Sequence, residues 1–195
     1  MERSSFPVLS LYERDGRRKY LTPSERSRFI AVAAGWPRRD VGIFCLFLAY
    51  TGCRVSEALA VTPDSIDVGE GFVAIRSLKK RRLFVVREIP LPANLLQMLA
   101  GLSVDRPAHL RIWPWSRGWA WLLVKQVMTS AAIVGGPQAT PKGLRHGFGI
   151  HAIRSGVPLN LVQRWLGHAS LSTTAIYANA LGAEERELAA RMWEK

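Results

Sequence analysis

The sequence has few cysteines and no long apolar run. Its two cysteines, Cys45 and Cys53, are too few for a disulfide scaffold and lack the histidine spacing of a zinc site, so we expect both to be reduced core residues. The longest apolar run, Val41 to Tyr50, is about half of the roughly 20 residues that a membrane span needs. Because Met1 to Tyr20 is polar and charged, we expect no signal peptide, no membrane association and a cytoplasmic location.

Acidic residues are also scarce. The chain has 15 Asp and Glu against 27 Lys and Arg, which gives a formal net charge of +12. This balance favours a polyanionic partner, and nucleic acid is the first choice. An anionic membrane surface is second, but no basic amphipathic helix supports it. A basic protein without any such partner is the third interpretation.

Local signals predict one mostly helical domain. Thr22-Pro23-Ser24-Glu25 is typical of a helix start, and we expect that helix to run to about Ala34. Asp40 is expected to cap the apolar helix that follows. Two β-like runs, 71–78 and 83–91, predict a hairpin with a basic tip. Further helices are predicted over 54–59, 93–102, 117–133, 140–155 and 158–167, around Tyr177, and over 183–193.

Two positively charged residues lie at the start of the helix predicted over 140–155. Lys142 and Arg145 lie in its first turn, where a positive charge opposes the helix dipole unless an anion binds there. Side chains that only reach into solvent are the alternative. Gly149 lies one turn after Arg145, and its missing side chain would let another backbone approach.

Two other segments carry candidate functional residues. Arg54 follows the apolar helix and a glycine bend, and taken alone it is better explained by a weak ion pair with Glu57 three residues later. His168 lies at a helix junction after Gly167, and Tyr177 is on the next helix. Taken separately, each of these residues is more often structural.

Together the three segments resemble the tyrosine recombinases, or phage-type integrases. Residues 50–59 are similar to the first box of that family, 140–151 to the start of its second box, and 166–177 to its end. The resemblance extends over about residues 21–180. It implies an α+β, mostly helical catalytic domain with a small antiparallel sheet.

The resemblance also implies site residues. The two catalytic arginines would be Arg54 and Arg145, the later histidine His168 and the nucleophile Tyr177. A hairpin lysine is expected as well, and Lys79 is favoured over Lys80.

The chain departs from the family pattern at Lys142, where a histidine is usual. A cationic lysine cannot accept the tyrosine proton unless its pKa is depressed. We keep Lys142 as a phosphate contact, and we interpret the nearby His146 and His151 as structural.

The reaction that the resemblance implies, attack of a tyrosine on a DNA phosphodiester, explains why the site needs arginines and a lysine. Attack of a phenol on a phosphodiester builds negative charge on the phosphate oxygens, which paired arginines can bind with two donors each. The lysine would protonate the leaving 5′ oxygen. The resemblance implies a 3′-phosphotyrosyl intermediate that conserves bond energy, with no metal, no ATP and no other cofactor.

The domain organisation is expected to comprise a flexible basic arm (1–20), the catalytic domain (21–182) and a C-terminal helical tail (183–195). The usual N-terminal DNA-clamping domain is expected to be absent. The implied partners are double-stranded DNA, further copies of the chain in a tetramer on DNA, and an accessory DNA-binding protein. Two alternatives stay open: a non-catalytic DNA-binding relative, and a type IB-like topoisomerase.

Overall fold

The computed structural model of the chain describes residues 10–77 and 85–178. Its N-terminal helices are α1 (Pro23–Ala34), α2 (Arg39–Thr51) and α3 (Val55–Ala58). A 3₁₀ turn (Pro63–Ser65) leads to the strands β1 (Ile66–Asp67), β2 (Phe72–Arg76) and β3 (Val86–Pro90). The remaining described helices are α4 (Ala93–Ser103), α5 (Arg117–Ser130), α6 (Pro141–Arg154), α7 (Leu159–Leu166) and α8 (Ser172–Ala178). The predicted α+β class is confirmed.

Helix α2 lies at the centre of the domain. It contacts α1, α4, α5 and α6, and its residues Val41–Ala49 are all buried. The Phe44 ring packs edge-on against Trp113 and Trp115, with ring centroids 5.1 and 5.3 Å away. Burial of one such side chain stabilises the fold by about 1.5–3 kcal/mol. The long apolar run is therefore the core helix that the sequence predicts.

The predicted N-cap is found at α1 but not at α2. Thr22 caps α1 as expected: its hydroxyl accepts from the Glu25 N–H at 3.3 Å, and the Glu25 carboxylate accepts from the Thr22 N–H at 2.8 Å. The prediction for Asp40 is wrong, because α2 begins at Arg39 and its N-cap is Arg38. Asp40 lies inside the first turn, where its carboxylate accepts from the Val41 N–H and suits the positive end of the helix dipole.

The sheet is antiparallel with the order β1-β2-β3. Val73 pairs with Ile89, and Ile75 pairs with Arg87. Side chains alternate across a strand, and in β3 Arg87 and Ile89 are the buried ones. The hairpin prediction is confirmed for its strands, whereas its tip at 78–84 lies outside the described residues. Strand β1 is too short for its pattern to predict it.

The described part of the N-terminal arm, residues 10–20, lies on the domain. Leu11 is buried in a cluster with Phe148, and both terminal nitrogens of Arg18 donate to the Glu25 carboxylate at 2.6 Å. The rest of the arm and the predicted tail helix fall outside the described ranges. Among the helices that are described, none has the length and apolar character to cross a membrane.

Candidate active site

The three segments that resemble the family boxes, residues 50–59, 140–151 and 166–177, meet around α6, which contacts both α2 and α8. The chain leaves α2 through Gly52, whose φ of 60° is left-handed. A Cβ atom there would lie 2.4 Å from Cδ1 of Phe148 on α6. Only glycine fits both the backbone conformation and the close packing. This turn brings Arg54 next to the residues of α6.

Arg145 is held at the centre of the site by backbone carbonyls. Its Nη1 donates to Gly52 O and its Nη2 to Leu166 O, each at 2.7 Å. Burial, together with the like charge of Arg54, lowers the pKa of Arg145 to about 10. The guanidinium therefore stays protonated at neutral pH but lacks full compensation. A bound anion would remove this cost, and the planar guanidinium can offer it further donors.

Arg54 is oriented by a buried carboxylate. Glu57 accepts from Arg54 Nη1 at 2.7 Å and from Arg87 Nη2 at 2.5 Å. Arg87 in turn donates from Nε to Trp165 O at 2.7 Å. Although burial raises the pKa of Glu57, the guanidinium of Arg87 and the contacts from Arg54 lower it overall. Glu57 is thus ionised, and it couples the first box to β3 and to the end of α7.

Tyr177 is fully buried on α8. A Cβ atom on Gly149 would lie 2.7 Å from Cε2 of its ring, so Gly149 admits the tyrosine ring rather than another backbone. The His168 ring stacks against the tyrosine ring, with centroids 6.1 Å apart and an interplanar angle of 21°. Burial raises the pKa of Tyr177 to about 12, against the opposing charges of Arg145 and Arg54. The phenol is therefore neutral and held in one orientation.

Both histidines beside Tyr177 are neutral. His168 shares a hydrogen bond of 2.9 Å between its Nδ1 and the buried hydroxyl of Thr174. Burial, then Arg145 and Arg54, lower the pKa of His168 to about 3. His146 Nδ1 lies 3.0 Å from the Tyr177 hydroxyl oxygen. Burial, then Lys142 and Arg145, lower the pKa of His146 to about 4.

The structure brings together four of the six residues that the sequence singles out: Arg54, Arg145, His168 and Tyr177. Lys142 is exposed at the start of α6, near enough for its charge to act on His146. Lys79 and the alternative Lys80 lie outside the described residues. His151 is exposed and has Arg26 and Arg154 as its charged neighbours.

Three residues that orient or contact the site residues are not predicted as functional from the sequence: His146, Glu57 and Arg87. The sequence favours a structural role for His146 and a weak local ion pair for Glu57. Arg87 has a visible signal in the sequence: it alternates with Ile89 in a β-like run, which places its charge on the buried face, where it needs an internal partner. Nothing in the sequence indicates the contact of His146, because it depends on how α8 packs on α6.

Comparisons with known proteins agree with this geometry. Residues 19–184 match the profile of the phage integrase family. Tyrosine recombinase XerA of Pyrococcus furiosus is 30% identical over 183 residues, which cover 89% of this chain and 61% of the relative. The chain thus spans less than two thirds of that protein.

Two solved structures show the same fold. XerH site-specific recombinase bound to its difH substrate aligns with a TM-score of 0.74 at 20% identity, covering 94% of this chain and 60% of the other. The catalytic domain of bacteriophage HP1 integrase aligns with a TM-score of 0.67 at 20% identity, covering 88% of this chain and 93% of that domain. With the family profile matching most of its length, the chain belongs to the phage integrase family, the tyrosine recombinases.

Proposed function

We propose that the protein is a site-specific recombinase that cuts and rejoins double-stranded DNA through Tyr177. The observation that carries this proposal is the position of two arginines beside a buried, oriented phenol. Arg145 is fixed by two carbonyls and Arg54 by Glu57, and both act on Tyr177 through their charge. Such a preorganised cationic site stabilises the charge that develops on a phosphate under attack.

In the proposed reaction, Tyr177 Oη bonds to phosphorus and the bond to the 5′ oxygen breaks. Arg54 and Arg145 bind the non-bridging oxygens, His168 adds a hydrogen bond, and Lys142 contacts the DNA phosphate. Lys79 protonates the leaving 5′ oxygen. The 3′-phosphotyrosyl bond conserves the energy of the broken linkage, so a 5′ hydroxyl can reverse the step without metal, ATP or another cofactor.

The proposed partner is double-stranded DNA, and the XerH relative bound to difH supports this assignment. The net charge of +12 supports it as well, because it suits phosphate binding. Recombination joins two duplexes, so we further propose that four copies assemble on DNA, with an accessory DNA-binding protein that supplies additional phosphate contacts. A cytoplasmic location belongs to the same proposal.

The test is formation of a covalent protein–DNA adduct. A pool of random-sequence duplexes carrying a 5′-bridging phosphorothiolate is incubated with the protein and resolved on a denaturing gel. We expect the wild-type chain to form an adduct and Tyr177→Phe to form none while still binding DNA. Tyr20→Phe is the control, because Tyr20 is partly buried and its hydroxyl, like that of Tyr177, shares a hydrogen bond.

Two outcomes would contradict the proposal. An adduct formed by Tyr177→Phe would remove Tyr177 as the nucleophile. DNA binding by the wild-type chain without any adduct would instead favour a non-catalytic DNA-binding relative.

A further inference from the structure

His146 is the residue in contact with the atom that must lose a proton. Its Nδ1 lies 3.0 Å from Tyr177 Oη, and the two ring centroids are 5.8 Å apart. Its other ring nitrogen, Nε2, is buried and has no hydrogen-bond partner among the described residues. The Tyr177 contact is therefore the hydrogen bond that orients this imidazole.

We propose that His146 is a catalytic residue that accepts the proton of Tyr177 through Nδ1 as the tyrosine attacks the phosphate. This rests on the proposed function, and it names the group that replaces the histidine usual at Lys142. The step balances: the Oη–phosphorus bond forms, the phenolic proton passes to Nδ1, and the 5′ oxygen leaves with a proton from its own acid. In the reverse reaction Nδ1 returns the proton to Oη.

The other polar groups near Tyr177 are poorly suited to accept this proton. Arginine has no acceptor lone pair and a lysine ammonium has none, which excludes Arg54, Arg145 and a protonated Lys142. His168 presents its ring face to Tyr177 at an interplanar angle of 21°, and its Nδ1 is engaged by Thr174. His146 is the neighbour whose ring edge meets the hydroxyl.

The local charges keep His146 neutral, and its hydrogen bond with the phenol favours the required tautomer. Burial and the neighbouring cations keep His146 neutral, with a pKa of about 4, so one of its two ring nitrogens is an acceptor. A phenol is a better donor than acceptor, whereas an unprotonated imidazole nitrogen is a good acceptor. The favoured arrangement has the phenol donating to Nδ1 and the ring proton on Nε2. Negative charge on the attacked phosphate would then stabilise the imidazolium.

The first arm of the test needs no DNA. In the ¹⁵N-labelled chain, long-range ¹H–¹⁵N spectra distinguish a protonated from an unprotonated Nδ1. We expect His146 to be the Nε2–H tautomer in the wild type and its Nδ1 signal to shift in Tyr177→Phe. A protonated Nδ1 in the wild type would overturn the proposal, since that nitrogen could not accept the phenolic proton.

The second arm measures adduct formation with the phosphorothiolate duplex selected by the wild-type chain, a substrate whose leaving group needs no acid. His146→Asn keeps an acceptor near the position of Nδ1 but cannot take up a proton, so we expect the single-turnover rate to fall about 10²-fold. His151→Asn, an exposed histidine of the same helix, is the matched control and should keep the wild-type rate. His146→Phe, which keeps the ring volume, should lose at least as much as His146→Asn.

The pH profile separates proton transfer from a structural role. The titratable or charged groups acting on or contacting His146 are Lys142, Arg145, Lys19, His168 and Tyr177. With wild-type protein the rate should be nearly flat from about pH 6 to pH 8, because His146 is already neutral there. In His146→Asn it should rise about tenfold per pH unit, since hydroxide must remove the proton.

The outcomes distinguish the two proposals. If the wild-type chain forms an adduct and His146→Asn matches its rate and pH profile, this inference is wrong while the proposed function stands. If the wild-type chain forms no adduct from any duplex in the pool, the proposed function itself fails.

Discussion

Gly149→Ala is the substitution that most directly tests how Tyr177 is held. The new Cβ would lie 2.7 to 2.8 Å from Cε2, Cδ2 and Cζ of the buried ring, and real Cβ contacts are not that short. The ring or α8 must move. Overpacking of this kind costs about 1–3 kcal/mol, and the usual helix gain of alanine over glycine returns about 0.5–1 kcal/mol. We expect a net loss of about 1 kcal/mol, or about 2–4 °C in Tm.

The assay is thermal unfolding together with the rate of adduct formation. A ring displacement approaching 1 Å can slow a positioned reaction by about 10²-fold, so the rate should fall far more than the stability. Gly118→Ala is the matched control: it is also a helical glycine, but nothing lies within 4 Å of its added Cβ. We expect it to leave the rate unchanged and the stability equal or slightly higher. A Gly149→Ala variant with wild-type Tm and rate would refute the packing argument.

Two further predictions concern Glu57 and the hairpin. Glu57→Gln should destabilise the fold by about 3 kcal/mol at neutral pH, because it leaves buried Arg87 without its counter-charge. Since the pKa of Glu57 is lowered on folding, this difference should be full above the ordinary value of 4.5 and shrink as denaturant unfolding is repeated at lower pH. Lys79→Ala should slow cleavage of an ordinary phosphodiester far more than Lys80→Ala and be restored by the phosphorothiolate leaving group. Rescue of Lys80→Ala instead would assign the acid to Lys80.

Local signals in the sequence predict most of the fold. Helix α1 begins where its capping residues place it, and Gly167 ends α7 in a left-handed conformation. Both helix ends depend on residues within one turn of the chain, so they can be predicted directly from the local sequence. Asp40 shows the limit, because the acid that is predicted as the cap lies two residues after the N-cap Arg38, inside the first turn of α2.

The candidate site is less predictable, because its decisive contacts join distant segments. Glu57 contacts Arg54, three residues before it, and also Arg87, thirty residues after it. The local pair with Arg54 alone would predict almost no contribution of Glu57 to stability. His146 and Tyr177 are thirty-one residues apart and meet only because α8 packs on Gly149. The family resemblance supplies four of the grouped residues; the contacts that orient them come from the structure.

The charge state of the resting site opposes early ionisation of Tyr177. Burial raises its pKa to about 12 and lowers that of His146 to about 4, so proton transfer between them in the free protein is strongly unfavourable. Once Oη bonds to phosphorus, the phenolic proton becomes strongly acidic and the gap between the two pKa values disappears. Deprotonation is therefore coupled to attack, and the free protein carries no reactive phenolate.

This coupling can be measured in the absence of DNA. Phenolate absorbs ultraviolet light differently from phenol, so subtracting the alkaline titration of Tyr177→Phe from that of the wild type isolates Tyr177. Because burial raises the pKa of Tyr177 to about 12, the two titrations should coincide up to about pH 11, one unit below that value, where about a tenth is ionised. The control subtraction with Tyr20→Phe checks that the signal of one tyrosine is resolved. Ionisation of Tyr177 near pH 8 would mean that Arg54 and Arg145 outweigh burial in the resting site, and that a free phenolate could attack without a proton acceptor.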